Sequence, residues 1–431
     1  MTTLAETPSS APVSADLRHV TVVSWKAAIA LASVTAAVAL LLLLAPRDGD
    51  VRFRFSAETD ALRIPDVATP AMPLAWVCVV VAALVAVGAA LLTRARAKVP
   101  SWMSLILAVA LLVAFLSWAG AGSARDFPVV RLIEGAVLLA VPILFGALGG
   151  VIGERAGVVN IAIEGQLLFG AFAAAIAGSL TDSPVAGLVA AVVGGVVVAL
   201  VLGVFTITYK VDQVIVGVVL NVLIIGLTSF FYSEVLVPNA ERLNDTNRFS
   251  RIAIPGLSEI PVIGPALFRQ SMLVYLAYLT VPAVWFALYR TRWGLRLRAV
   301  GEHPKAADTV GIKVERTRYR AVLIAGAIVG VGGAYYTVVS VSSFGKEMTQ
   351  GAGFIALAAV IFGKWDPVRA AMAALLFGFA ANLEDALSVV GAPVPSQFML
   401  MLPYVVTLFA VAGLVGKSRA PAADGEAYVK E

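Results

Sequence analysis

Two histidines and one cysteine in 431 residues leave little for side-chain chemistry. His19 falls in a polar tail and His303 in a basic loop, so no histidine-based metal site or catalytic triad is available, and no catalytic or metal residue is assigned. Cys78 lies alone in an apolar run, which excludes a disulfide framework and implies no redox compartment. Charge is scarce too: 14% of residues are charged against 60% hydrophobic, where soluble domains carry about 25% charged. The net charge of +5 is small, and membrane topology accounts for it better than a nucleic-acid partner does. What the chain has in abundance is long hydrophobic runs. It reads as an all-α, polytopic membrane protein lying in a lipid bilayer.

Residues 1–24 are rich in Ser, Thr, Pro and Ala and read as a disordered tail. The run 25–45 exceeds the 7–15 residues of a signal-peptide core, so it is expected to stay as a first crossing. Further crossings are predicted at 71–92, 101–119, 128–152, 160–178, 185–208, 214–232, 271–289, 321–341, 368–387 and 398–415. The run 354–363 is too short for a hydrocarbon layer of about 30 Å. It must extend upstream or be re-entrant. Counting it gives about twelve transmembrane helices with both termini on one side. Most of the 32 Lys and Arg then fall on the side of both tails and of loop 290–320, which the positive-inside rule makes cytoplasmic.

That loop is a basic island between two apolar segments. Pro304 suits the first turn of a helix and Gly311 the position just past its end. About two turns lie between, roughly 10 Å at 1.5 Å per residue. Ala306, Ala307 and Val310 are expected on one small-residue face, with Lys305 and Asp308 pointing elsewhere. Such a helix is shaped to enter a partner; a capped surface turn is the plainer reading.

Polar groups at membrane depth are costly unless partnered or hydrated. Glu164 is the carboxylate lodged most clearly within a span; Asn160 is expected on its face and Gln166 away from it. Asn221 shares a face with Gly217 and Thr228, and Asn382 with Gly378 and Asp385. Asn160, Glu164, Asn221 and Asn382 form the candidate substrate path for a neutral polar solute; hydrogen bonds that merely fix helix packing are the alternative. Small residues at four-residue spacing, Gly326/Gly330, Gly146/Gly150 and Ala199/Gly203, predict close helix packing. The C-terminal string Gly413-Leu-Val-Gly416-Lys417-Ser418 lacks the first glycine of a phosphate loop, since Val411 stands there. No ATPase motif is present.

Three strings together carry a family resemblance: GERAGVVNIAIEG at 153–165, LRLRAVGEHP at 295–304 with Ala306, Ala307, Gly311 and Ile312, and GFIALAAVIFGKW at 353–365. They resemble the permease subunits of bacterial ABC importers in the nucleoside and simple-sugar, branched-chain-type branch. The resemblance implies a ten-helix permease core, taken here as 101–416, with cytoplasmic coupling loop 290–320, behind an extra N-terminal hairpin at 25–100. Residues 417–431 would be a cytoplasmic tail. It implies that Gly301, Glu302, Pro304, Ala306, Ala307, Val310 and Gly311 engage a cytoplasmic ABC ATPase, whose closure draws the coupling helices together. It also implies a second related permease in a heterodimer and an extracytoplasmic substrate-binding lipoprotein, for which loop 233–270 offers the docking surface. No cofactor is expected on this chain, ATP being hydrolysed by the partner. The expectation is a multi-pass subunit of the bacterial cell (plasma or inner) membrane importing nucleosides. Simple sugars, or an ion-coupled secondary transporter, are the alternatives.

Overall fold

The computed structural model describes residues 25–56, 62–392, 394, 397–398, 401 and 419–430. Ten helices among them are long and apolar enough to cross a membrane, and most match the predicted runs to within a few residues. In lipid every backbone N–H and C=O must be satisfied within the segment, so runs of this length become helices. The tail 1–24 and most of the expected last crossing, 398–415, lie outside the described residues.

The chain divides into two compact units. The smaller holds α1 (Lys26–Leu44), α2 (Ala71–Arg94) and α3 (Ser101–Ala119). Trp118 on α3 donates its indole N–H to Ala45 O at 2.7 Å, and Met103 closes on Gly88 of α2. In this division α3 groups with the first two helices.

The larger unit begins with segment 47–71. It holds β1 (Asp50–Arg54) and β2 (Val67–Pro70), and with β3 (Phe127–Pro128) they form a sheet of order β2-β1-β3. The fold is therefore helical with two small sheets. The core helices follow: α4 (Val129–Arg155), α5 (Ile163–Thr181), α6 (Pro184–Gly203) and α7 (Gln213–Phe231). Loop 233–270 carries short α8 (Ala240–Leu243), β4 (Arg251–Ala253) and α9 (Ile263–Phe268), and β5 (Arg269–Ser271) pairs antiparallel with β4. Next come α10 (Met272–Arg290), α11 (Arg292–Glu302), α12 (Pro304–Thr309), α13 (Val314–Tyr335), α14 (Ala352–Phe362) and α15 (Pro367–Val390).

The predicted small-residue stripes are where the backbones meet. A Cβ on Gly195 would lie 2.1 Å from Gly326 O, and one on Gly330 would lie 2.2 Å from Ala191 O. These contacts seam α6 against α13. Along α4, Gly146 faces Ala356 and Gly150 faces Val360, so α14 lies flush on α4. At 11 residues α14 is about 16 Å long, half a bilayer. After α13, a short π-helical turn ends at Ser342 (φ +73°), and loop 342–351 runs back to the start of α14. The upstream extension is thus non-helical backbone, in which Phe344 and Thr349 are buried while Lys346, Glu347 and Gln350 are exposed.

Candidate coupling platform and cavity

Glu164 sits in the first turn of α5 and is 5% exposed. Its Oε1 accepts from the Thr349 hydroxyl at 2.6 Å and Gly351 N at 2.9 Å; its Oε2 accepts from Gly353 N at 2.6 Å. All three donors belong to the entry of α14, whose first N–H groups have no partner inside the helix. A carboxylate there also meets the positive end of the helix dipole. Gly353 has to be glycine, since a Cβ would lie 2.4 Å from Glu164 N. Glu164 caps α14.

Asn160 differs from expectation. Helix α5 starts at Ile163, so Asn160 shares no helical face with Glu164; its amide donates to Gln166 Oε1 at 3.0 Å. Gln166, expected to point away, is that partner. Asn221 does sit on a buried face with Gly217 and Thr228, and bridges α7 to α5 by accepting from Gly165 N (2.8 Å) and donating to Ile161 O (2.8 Å). Of the four path candidates, Asn382 lines the cavity described next. Its amide donates to Leu132 O at 2.7 Å, across Gly135, where a Cβ would be 2.0 Å from Asn382 Oδ1.

The cavity encloses about 600 Å³, within the roughly 300–1,000 Å³ of small-molecule sites. Tyr335, Tyr336, Gln270, Glu384 and Asp385 line it beside Asn382, and so do Thr349, Gln350, Ala352 and Ile355 from the entry of α14. At its rim Arg251 pairs with Glu134 at 2.5 Å. One end of α14 is therefore part of the cavity wall.

The other end of α14 enters a buried cluster. Trp365, just past the helix, donates its indole N–H to Glu154 near the end of α4, and its carbonyl accepts from Arg155 Nε at 3.0 Å. Gly301, at the end of α11, packs on Arg155 so closely that a Cβ would lie 2.2 Å from Arg155 O. The first and third strings of the sequence analysis thus meet where Glu164 accepts from Gly353, and all three meet where Glu154–Arg155 contact Gly301 and Trp365.

Loop 290–320 is more structured than its sequence suggested. Amphipathic α11 was not foreseen; it buries Gly294, Leu297 and Val300 and turns Arg292 and Arg296 outward, while half-buried Arg298 lies over the Tyr289 ring at 5.1 Å. Helix α12 starts at Pro304 and is capped by His303, whose Nδ1 accepts from Ala306 N at 3.1 Å; Gly311 follows with φ +83°. Its small-residue face is split. Ala306 and Val310 are exposed, whereas Ala307 is 3% exposed and packs with Val300, Val314 and Tyr428. The expected open face fails at Ala307 because the C-terminal segment covers it. Glu302 is exposed and lies 4.0 Å from Arg155.

A model of the family described as branched-chain amino acid transport system / permease component matches residues 132–411. The chain belongs to this family. Residues before 132 lie outside the match, and so does the unit built from α1 to α3. This permease is 38% identical over 312 residues to the guanosine ABC transporter permease protein NupQ of Bacillus subtilis (strain 168), which covers 69% of this chain and 96% of NupQ. It is 37% identical over 257 residues to the putative glucose ABC transporter permease protein TsgC13 of Haloferax volcanii, covering 59% of this chain and 76% of that one. A second guanosine permease protein of Bacillus subtilis, NupP, is 25% identical over 296 residues, covering 66% and 83%.

Proposed function

We propose that this permease is the membrane half of an ATP-driven importer for nucleosides, with loop 290–320 on the cytoplasmic face. One observation carries the mechanism: α14 is a rod joined at one end to the α4–α11 platform and at the other to the cavity wall. In this reading an ATPase moves α12. The displacement passes through Gly301 to Arg155, and through Trp365 into α14. The capped end of α14 then reshapes the cavity, with Asn382 and the two tyrosines supplying hydrogen bonds and aromatic surface to a neutral, hydroxyl-bearing solute.

The similarity to NupQ, at higher identity and coverage than to TsgC13, supports nucleoside over sugar. The likeness to both NupQ and NupP, two permeases of one organism, supports a partner permease of the same family. A cytoplasmic ABC ATPase would hydrolyse the ATP, an extracytoplasmic lipoprotein would deliver the solute at loop 233–270, and this chain would hold no cofactor. The test is reconstitution with those three partners in proteoliposomes. Labelled guanosine should accumulate only with ATP on the ATPase side. Uptake of glucose instead would favour the sugar reading; uptake driven by an imposed ion gradient without ATP would make this a secondary transporter.

A further inference from the structure

The C-terminal segment 419–430 lies across the coupling loop and touches each of its helices. Ala423 N donates to Gly301 O at 2.9 Å, at the end of α11. Ala422 N donates to Glu302 Oε2 at 3.3 Å, and Lys430 Nζ lies 3.9 Å from Asp308 Oδ2 on α12. Arg318 on α13 donates to Glu426 O at 2.8 Å, and the Tyr428 ring fills the space between Val300, Ala307 and Val314. The contact continues past the loop: Ala423 O comes within 2.9 Å of where a Cβ on Gly157 would stand, in the α4–α5 connection. None of this followed from the composition of a short polar tail.

We infer that segment 419–430 is a clamp which fixes α12 to α11, α13 and the end of α4, so that force on the coupling helix reaches the membrane helices. The inference rests on the coupling role proposed above. A six-residue helix is too short to hold its own angle, because isolated helices below about 12 residues are marginal in water. Helix α12 has few anchors of its own: Ala307 is its one fully buried side chain, and the surface covering it includes the tail's Tyr428. Removing the tail exposes Ala307 and frees Gly301 O. The helix could still be gripped by an ATPase through His303, Ala306 and Val310, which the tail leaves open. Its motion would then be spent in bending the loop. Tyr428 is thus a positioning residue, distinct from the residues that an ATPase touches.

The experiment compares wild type, Tyr428→Ala, Tyr428→Phe and a chain ending at Ala420, each in the complete complex with ATPase, second permease and binding lipoprotein. The readout is solute moved per ATP hydrolysed. Tyr428→Ala and the shortened chain should keep the ATPase bound and hydrolysing, while solute per ATP falls at least tenfold. Tyr428→Phe keeps the ring and should stay within twofold of wild type. Should the shortened chain not accumulate, Tyr428→Ala and Tyr428→Phe still decide the matter. Wild-type coupling in Tyr428→Ala would overturn the inference, and so would loss of ATPase binding, which would make the tail itself a docking surface. A separate arm, Val310→Arg, probes the open part of α12. Unchanged ATPase binding and transport there would sink the coupling-loop reading, whatever the tail variants do.

Discussion

Replacing Glu164 tests whether the carboxylate holds α14 or serves the solute directly. Glu164→Leu leaves the N–H groups of Gly351 and Gly353 facing an apolar side chain in a site that is 5% exposed. A buried donor left unsatisfied costs roughly 1–3 kcal/mol, so the pair costs about 2–6 kcal/mol, and the Thr349 hydroxyl can turn away. Loss of negative charge at the helix N-terminus adds about 0.3–2 kcal/mol. Glu164→Gln is milder. Its carbonyl oxygen, placed where Oε1 was, can still accept from Thr349 and Gly351, while the new NH₂ faces Gly353 N–H, leaving one buried donor unsatisfied at roughly 1–3 kcal/mol.

The assay is the thermal midpoint of the assembled complex in detergent, beside uptake per assembled complex. A capping role predicts the order wild type, Gln, Leu in both readouts. Leu should fall furthest in uptake, because the cavity end of α14 frays. Uptake lost in Gln with an unchanged midpoint would place Glu164 in contact with the solute instead. Wild-type midpoint and uptake in Leu would refute the capping argument altogether.

Other perturbations follow from the same geometry. Gly195→Ala puts a Cβ 2.1 Å from Gly326 O and should force α6 from α13, costing about 1–3 kcal/mol and lowering the complex midpoint. Gly157→Ala forces a Cβ onto Arg318 Nη2 and Ala423 O at φ +82°, and should release the tail, read as faster proteolysis after Arg419. Asn382→Leu should raise the KM for uptake while leaving ATPase binding intact, because it removes a polar group from the cavity wall far from the platform. Burial pushes the Asp424 carboxyl up to about 7, the Arg318 guanidinium opposing it, with Glu154 also facing the site. Because the docked pKa is raised, docking is favoured at low pH and weakens as pH rises through about 7. A spin label at Val429→Cys in a Cys78→Ser background should therefore be more mobile at pH 8 than at pH 6, and Asp424→Asn should flatten that difference.

The spans were legible because lipid imposes one requirement on every residue in them, and a hydrophobic run is its direct record. Gly326, Gly330, Gly146 and Gly150 were legible for a related reason, though their partner Gly195 was not singled out: in lipid, helices close up only where side chains are small. Pro304 and Gly311 marked α12 correctly, since the constraints they answer are local. The polar site was read less well. Spacing placed Asn160 and Glu164 on one face, but a non-helical stretch, 157–162, intervenes, and their partners come from Gln166 and from residues 185 positions away. No pattern within one segment reports such a partner. The docking of the tail on the loop was not anticipated for the opposite reason, its composition being that of a solvated end while its backbone amides and one tyrosine make the contacts.

The buried carboxylate and the docked tail bear on one question, how a motion at α12 could reach a cavity half a bilayer away. A transmembrane helix of full length would carry it, but would also move the far surface. Helix α14 stops midway, its open N–H groups taken by Glu164 on α5, so its cavity end is tied to that neighbour. A push at Trp365 then shears α14 along the glycine track of α4, Gly146 and Gly150, against a fixed point at Glu164. Ile355, which lies on α14 between Trp365 and that anchor, is cavity wall and would be displaced. On this argument the carboxylate buried in the membrane is the anchor that turns displacement of the coupling loop into a change of cavity shape, and its cost in lipid is offset by the three donors that have no other partner.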